Sequence, residues 1–267
     1  MPPPQSQTPR SVGCYAWVSV AARYHAAVEK TFYQPGSRRA ERVEDLFATV
    51  APRYDLINDL QSFGMHRLWK RLLVKECMVT QGQPVLDVCC GTGDVSFLMA
   101  AAGACVIGCD FSEPMLAVAR QRRKEESIQF IQCDALKIPV PDASFDLVTL
   151  SYGLRNLADF DAGLREVWRV LRPGGRILIL DFGKPPQPLL RAIYFGYLRK
   201  VIPLFGRLFC GNEATHAYIY ESLLNYPAQE GVEAALRNLG ADWSEITYIL
   251  GGVMTINHAR KPWAITP

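Results

Sequence analysis

A doubly wound α/β fold, a mostly parallel sheet with helices on both faces, is what this sequence predicts, and three observations predict it. First, residues 85–90 are a largely apolar run of strand length that stops at Gly91-Thr92-Gly93 and passes into a helix opening at Asp94. Second, three more strand-length segments, 105–109, 128–133 and 147–151, follow with helical stretches between the first of them. That βα order makes a parallel sheet with right-handed crossovers. Third, segments 245–250 and 253–258 flank Gly251-Gly252 and read as a closing hairpin.

The remaining elements follow in chain order. Residues 1–40 open with a Pro/Gln/Ser/Thr stretch and hold no acid before Glu29, which reads as a disordered or targeting extension. From Glu41, Val43, Leu46, Phe47 and Val50 recur at helical spacing until Pro52. Tyr54-Asp-Leu-Ile-Asn58 and Ser62-Phe-Gly-Met-His-Arg-Leu-Trp-Lys70 then interleave aromatic and polar groups. Trp69 reads as packing, whereas Tyr54, Asn58 and His66 fit packing and substrate contact equally.

After the glycine turn come a helix over 93–102, a strand ending at Asp110, and a helix capped by Ser112 that runs to about Lys124. Helix 160–171 carries Leu164, Val167, Trp168 and Leu171 and stops at Arg172-Pro-Gly-Gly175, before a fifth strand over 177–180. Helices around 214–224 and 229–239 precede the hairpin. In such a sheet the carboxyl ends of the parallel strands share one rim, where Gly91, Asp110, Asp134 and Ser151 converge.

Composition bounds the function. The 267 residues are 49% hydrophobic, enough for one sizeable core, and the net charge of +3 is scattered, so nothing marks a nucleic-acid binder. The eight cysteines fall mostly in strand segments and no pair has zinc-site spacing, which predicts buried thiols, no metal and a reducing compartment. The longest nearly unbroken apolar run, 95–109, is too short to span a bilayer, which needs about 20 residues.

Charge decides which ligand the glycine turn receives. Asp87 and Asp94 bracket it, and Ser96 stands where a dinucleotide fingerprint has its third glycine. A pyrophosphate wants bare N–H groups there, whereas S-adenosylmethionine brings a sulfonium and an ammonium that favour carboxylates. Gly91 and Gly93 remove side chains from the ligand's approach, and Asp110, 19 residues after Gly91, suits a ribose diol. A nicotinamide-dependent oxidoreductase is the competing reading. Tyr152-Gly-Leu-Arg-Asn156 leaves the same rim, so Arg155 and Asn156 can fix a substrate oxygen, or Arg155 can pair with an acid such as Asp159.

Over roughly residues 43–262 these segments resemble the ubiquinone/menaquinone biosynthesis C-methyltransferase family, on its menaquinone side. Tyr54-Asp55 with Asn58, Ser62 to Lys70, the 86–94 turn, Tyr152 to Asn156 and Arg172-Pro-Gly-Gly175 carry the resemblance. It implies the class I S-adenosylmethionine-dependent methyltransferase fold, Rossmann-like, with seven strands and the last antiparallel. It implies cofactor contacts from Thr92, Asp110, Asp134 with Ala135, and Ser151; the turn itself adds Asp87, Gly91 and Gly93. It implies methylation of a ring carbon of a polyprenylated naphthoquinol, demethylmenaquinol. A benzoquinol of ubiquinone synthesis, demethylphylloquinol, or a catalytically silent S-adenosylmethionine-binding scaffold are the alternatives.

In that chemistry Arg155 stabilises a phenolate, Asn156 and Tyr54 orient the ring, and His66 or a water takes the hydroxyl proton. The domain is expected over 41–262, with a helical lid at 182–226. Between Phe182 and Asn212 there is no acid, but five basic residues and many apolar ones, with Pro203 and Gly206 expected to break the segment into two helices. It reads as a lid that also docks on anionic membrane. The protein is then cytoplasmic and peripheral at the inner face of a membrane, or organellar if residues 1–40 are a transit segment. Homo-oligomerisation is left open.

Overall fold

The computed structural model describes residues 47–48, 51–123, 128–210 and 214–264, without the side chains of 52, 204–210 and 214–218. Its centre is a seven-stranded sheet: β1 (Pro84–Val88), β2 (Cys105–Asp110), β3 (Ile128–Gln132), β4 (Phe145–Ser151), β5 (Leu171–Phe182), β6 (Trp243–Ile249) and β7 (Met254–Arg260). The spatial order is β3-β2-β1-β4-β5-β7-β6, and β7 alone runs antiparallel to both its neighbours. Strand order therefore reverses between β1 and β4. Ligands in such sheets sit outside the carboxyl ends of the strands at that reversal.

Side chains alternate across the pleat and build a core on each face. Leu86, Val88, Val148 and Leu150 join one cluster; Val85, Val106 and Leu147 join the other. Helices α1 (Tyr54–Ser62), α2 (Met65–Cys77), α3 (Asp94–Ala101) and α4 (Glu113–Arg122) precede β3, and α5 (Phe160–Val170) leads into β5. Between β5 and β6 lie α6 (Pro188–Cys210), α7 (Ala214–Asn225) and α8 (Ala228–Asn238).

Three expectations meet the structure differently, and a fourth falls outside it. Arg172-Pro-Gly-Gly175 does not simply end a helix: Leu171 already pairs with Phe145, and the register slips before Arg176 meets Leu147, so the motif is a bulge inside β5. Segment 188–210 is one helix with Pro203 inside it, not two pieces. A proline removes one backbone hydrogen bond, and the long runs on both sides outvote that loss. Ser112 is the N-cap residue of α4, yet its side chain makes no capping hydrogen bond. The extension at 1–40, and nearly all of the helix expected from Glu41, lie outside the described residues.

Candidate active site

Two cavities open at the carboxyl rim and share a wall. The first is lined by Gly91, Asp110, Ser112, Asp134, Ala135 and Ser151, among others. The second lies under α6 and is mostly apolar, with Ile57, Trp69, Phe182, Leu198 and Ile202 beside Asn58, His66 and Arg155. Phe47, Tyr54 and Tyr152 border both. A small recess beneath Tyr54 and Tyr152 adds Lys70, Asp87, Thr92 and Asp94.

Polar groups without partners point to what the cavities hold. Among the described residues, five buried side-chain polar atoms have none: the Ser112 and Ser151 hydroxyls, the Tyr152 and Tyr194 hydroxyls, and His66 Nδ1. Every one belongs to a residue lining one of the two cavities. An unsatisfied buried polar atom costs about 1–3 kcal/mol, so five gathered at one rim mark places where ligand atoms complete the bonding.

In the first cavity Asp110 is held by two backbone donors, Gly91 N–H at 2.8 Å and Ser112 N–H at 2.9 Å. Burial raises its pKa despite those bonds. As an ionised acceptor with up to four lone-pair sites, the carboxylate can still take a further donor, as a ribose hydroxyl requires. Asp134 accepts from Leu136 N–H at 2.8 Å and offers its other oxygen. Asp110, Asp134 with Ala135, Ser151 and Gly91 thus stand together as the sequence expects, and they fit a nucleoside.

Other expected residues take different positions. Gly93 lines none of these cavities; a Cβ on it would lie 2.9 Å from Phe130 Cζ and 3.0 Å from Phe97 Cε2. Thr92 borders only the recess, and its hydroxyl donates to Asp55 at 3.0 Å. Asp87 is buried between the Ser96 and Thr149 hydroxyls, at 2.6 and 2.9 Å, and burial lifts its pKa to about 6. Ser96, where a dinucleotide site would have glycine, is therefore the tie between α3 and β1. Asp94 is engaged by Lys70 at 2.8 Å and Arg122 at 2.6 Å, so its charge is largely neutralised within the protein. Arg122 also reaches Asp55 at 2.7 Å, which clamps α1 to the glycine turn.

The Tyr152–Asn156 segment carries strain. Tyr152 and Cys89 have φ of +59° and +56°, a conformation costly for residues with a Cβ and concentrated at functional sites. Gly153 lets the two loops cross, since a Cβ there would lie 2.4 Å from that of Cys89. Arg155 is buried, and the acid it pairs with is Asp181 at 3.1 Å. Asp159 instead caps α5 through Ala162 N–H. Arg155 also donates to Ser222 and Asn156 and stacks 5.0 Å above Phe182. Asn156 lines the first cavity and donates to the Tyr152 carbonyl, so it shapes the shared wall from the side of the first cavity.

In the second cavity His66 is buried, and its Nε2 lies 2.8 Å from Asp59 Oδ1. Burial, then Lys70, pull its pKa below the ordinary value, outweighing Asp59 and Asp94. Burial raises the phenols of Tyr54, Tyr152 and Tyr194, so all three stay protonated donors. Asp59, Asp55, Lys70 and Asp181 carry no signal in sequence spacing alone, because their partners lie across chain reversals or in other elements.

Comparison with known proteins decides the family. Residues 36–261 match the model of the ubiE/COQ5 methyltransferase family. The chain belongs to that family. It is a methyltransferase on the class I S-adenosylmethionine-dependent fold. It is 38% identical over 236 residues to the ubiquinone/menaquinone biosynthesis C-methyltransferase UbiE of Cellvibrio japonicus, covering 85% of this chain and 94% of that one. The UbiE of Ectopseudomonas mendocina is 39% identical over 238 residues, covering 85% and 92%. Among solved structures, an S-adenosylmethionine-dependent methyltransferase of Thermotoga maritima superposes with TM-score 0.61 at 17% identity, covering 81% and 99%. One from Aquifex aeolicus gives 0.55 at 19%, covering 76% and 96%. These two support the fold alone. The ubiE/COQ5 assignment agrees with the resemblance read from the motifs.

Proposed function

We propose that this ubiE/COQ5 methyltransferase methylates a ring carbon of a polyprenylated naphthoquinol, demethylmenaquinol, in quinone biosynthesis. The observation that carries the proposal is the shared wall. A carboxylate-lined cavity and a largely apolar one meet at Tyr54 and Tyr152, and the apolar one holds a few convergent polar groups, as ring-binding pockets do. S-adenosylmethionine supplies an electrophilic methyl group. Asp110 and Asp134 hold its nucleoside, Gly91 lets it approach the backbone, and Ser151 completes its hydrogen bonds. Tyr54 and Asn58 orient the ring, Arg155 stabilises the oxyanion, and Tyr152 and Tyr194 donate to ring oxygens. Apolar walls exclude water, which strengthens each of these contacts. The reduced quinol is the reactant because loss of a hydroxyl proton places electron density on the ring carbon.

The test is direct: purified full-length protein with S-adenosylmethionine and short-prenyl quinols, product read by mass spectrometry. The expected result is a mass gain of one methyl on the naphthoquinol at a kcat/KM well above that for the benzoquinol. The reverse preference would assign the enzyme to ubiquinone synthesis. Cofactor binding with no transfer to either would leave only a scaffold. Both relatives are named for both quinones, so the ring is what this assay decides.

A lipid-dissolved substrate has to reach the second cavity, and α6 supports a route. Tyr194, Leu198 and Ile202 are buried on one side, over the cavity, while Leu189 and Ile193 are 65% and 63% exposed and Arg199 and Lys200 face solvent. Among the described residues no helix is long and apolar enough to cross a membrane. A lid that docks among anionic headgroups accounts for both faces. Vesicles containing anionic lipid are expected to retain the protein in low salt and release it in high salt. Arg199→Glu with Lys200→Glu should lose most of the retention. Retention indifferent to both would reduce α6 to a buried lid.

A further inference from the structure

The second cavity contains a histidine whose two ring nitrogens have different surroundings. His66 Nε2 is 2.8 Å from Asp59 Oδ1, while Nδ1 is buried without a partner in the cavity wall. Asp59 is itself immobilised: Arg67 donates to both of its oxygens, Nε to Oδ1 and Nη2 to Oδ2, each at 2.7 Å. The arrangement depends on a sharp reversal. Phe63 and Gly64, at φ of +52° and +74°, separate α1 from α2, and the Ser62 hydroxyl accepts from His66 N–H at 3.2 Å. This folds the end of α1 back onto the first turn of α2, so that residues 59 and 66 meet.

We infer that Asp59 is a positioning residue that fixes the proton of His66 on Nε2, leaving Nδ1 as the acceptor of the substrate's hydroxyl proton. The inference rests on the quinol reading above, and it names the base which that reading leaves between His66 and a water. A carboxylate acts as an acceptor only, so a neutral imidazole beside it keeps its hydrogen on the facing nitrogen and its lone pair on the other. When a ring hydroxyl seated in the cavity gives up its proton, the O–H bond breaks, its electron pair stays on oxygen, and an N–H bond forms at Nδ1. The resulting imidazolium sits against Asp59, whose carboxylate is held ionised, first by Arg67. The same division of labour orients and stabilises histidine in other acid–base sites.

The charged and titratable groups facing His66 agree with that role. Lys70 stands one turn along α2 and, after burial, contributes most to lowering the histidine's pKa; Asp59 and Asp94 oppose it. Across the cavity are Arg155 and the phenols of Tyr54, Tyr152 and Tyr194, while the Tyr197 hydroxyl is taken by the Gln61 carbonyl at 2.9 Å. Lowered overall, the imidazole is neutral at pH 7 and ready to accept.

Two measurements test this. In the pH profile of kcat/KM for quinol methylation, the wild type should show an acid limb from His66. Asp59→Asn removes the charge that favours imidazolium, so the limb should move to lower pH while the plateau falls at least tenfold. His66→Gln should lose the limb and roughly 10²–10⁴-fold in rate, the usual worth of a positioned base. Unshifted thermal stabilisation by S-adenosylhomocysteine would show that both variants fold and bind. A role confined to structure would lower stability or raise KM without moving the limb, and that result overturns the proposal. The second measurement needs no turnover: imidazole ¹⁵N NMR of the wild type at pH 7–8 should show neutral His66 protonated on Nε2. Protonation on Nδ1 overturns the assignment even where the quinol reading stands. Failure of the wild type to methylate any quinol would sink that reading and leave the tautomer result to judge Asp59.

Discussion

Replacing Arg155 by alanine is expected to cost the fold about 3–5 kcal/mol as well as turnover, because it strands the Asp181 carboxylate in the interior. Both side chains of the pair are nearly inaccessible, and Asp181, whose pKa burial raises, relies on Arg155 to stay ionised. A single substitution therefore cannot separate support from catalysis. Pairing Arg155→Met with Asp181→Asn can. The amide keeps an acceptor for Phe182 N–H, which Asp181 Oδ1 now receives at 2.8 Å, and the methionine fills the stack on Phe182 without a buried charge. The double variant should regain most of the lost stability in urea unfolding and bind S-adenosylhomocysteine normally. Its turnover should stay down by about 10²–10³-fold, the loss typical of removing a group aimed at developing negative charge. Turnover that returns with stability would show that Arg155 only holds the rim together.

The parts of this molecule legible in sequence are those fixed by local pattern. Strands buried on both faces, such as β1 and β4, are apolar over most of their length, and a glycine turn at the end of one announces the rim. Asp110 and Ser151 are the last residues of β2 and β4, so strand ends locate them at the rim. What sequence left open depends on which distant groups meet. Asp181 lies 26 residues beyond Arg155, whereas Asp159, four residues on, was the nearer acid in sequence. The Asp59–His66 pair was hidden for a related reason: a separation of seven suggests one helix face, yet the two meet only because the helix breaks at Phe63-Gly64. Asp94 reads as an acid offered to a cationic ligand until Lys70, 24 residues earlier, is found beside it. Pro203 misled because a helix-breaking residue sets a local preference, and α6 is held by packing through Tyr194, Leu198 and Ile202.

Gly91 and Gly93 look equivalent in the motif and are expected to fail in different ways. Both have positive φ, +55° and +86°, so alanine at either costs roughly 1–2 kcal/mol in backbone energy. At Gly93 the added Cβ also meets aromatic carbons of Phe130 and Phe97 at 2.9–3.1 Å, inside a packed core where overfilling costs about 1–3 kcal/mol more. At Gly91 the nearest atom is Met115 Cε at 3.2 Å, the mobile end of a side chain that itself lines the first cavity. The methyl group can be accommodated there, at the expense of room for the cofactor. Gly93→Ala should therefore lower the urea midpoint strongly, with cofactor affinity falling as the fold weakens. Gly91→Ala should lower the midpoint only by that backbone cost, clearly less than Gly93→Ala, yet bind S-adenosylhomocysteine at least tenfold more weakly by calorimetry. Equal losses of stability in the two variants would mean that Gly91, like Gly93, serves packing, and that the cofactor does not approach the backbone at this turn.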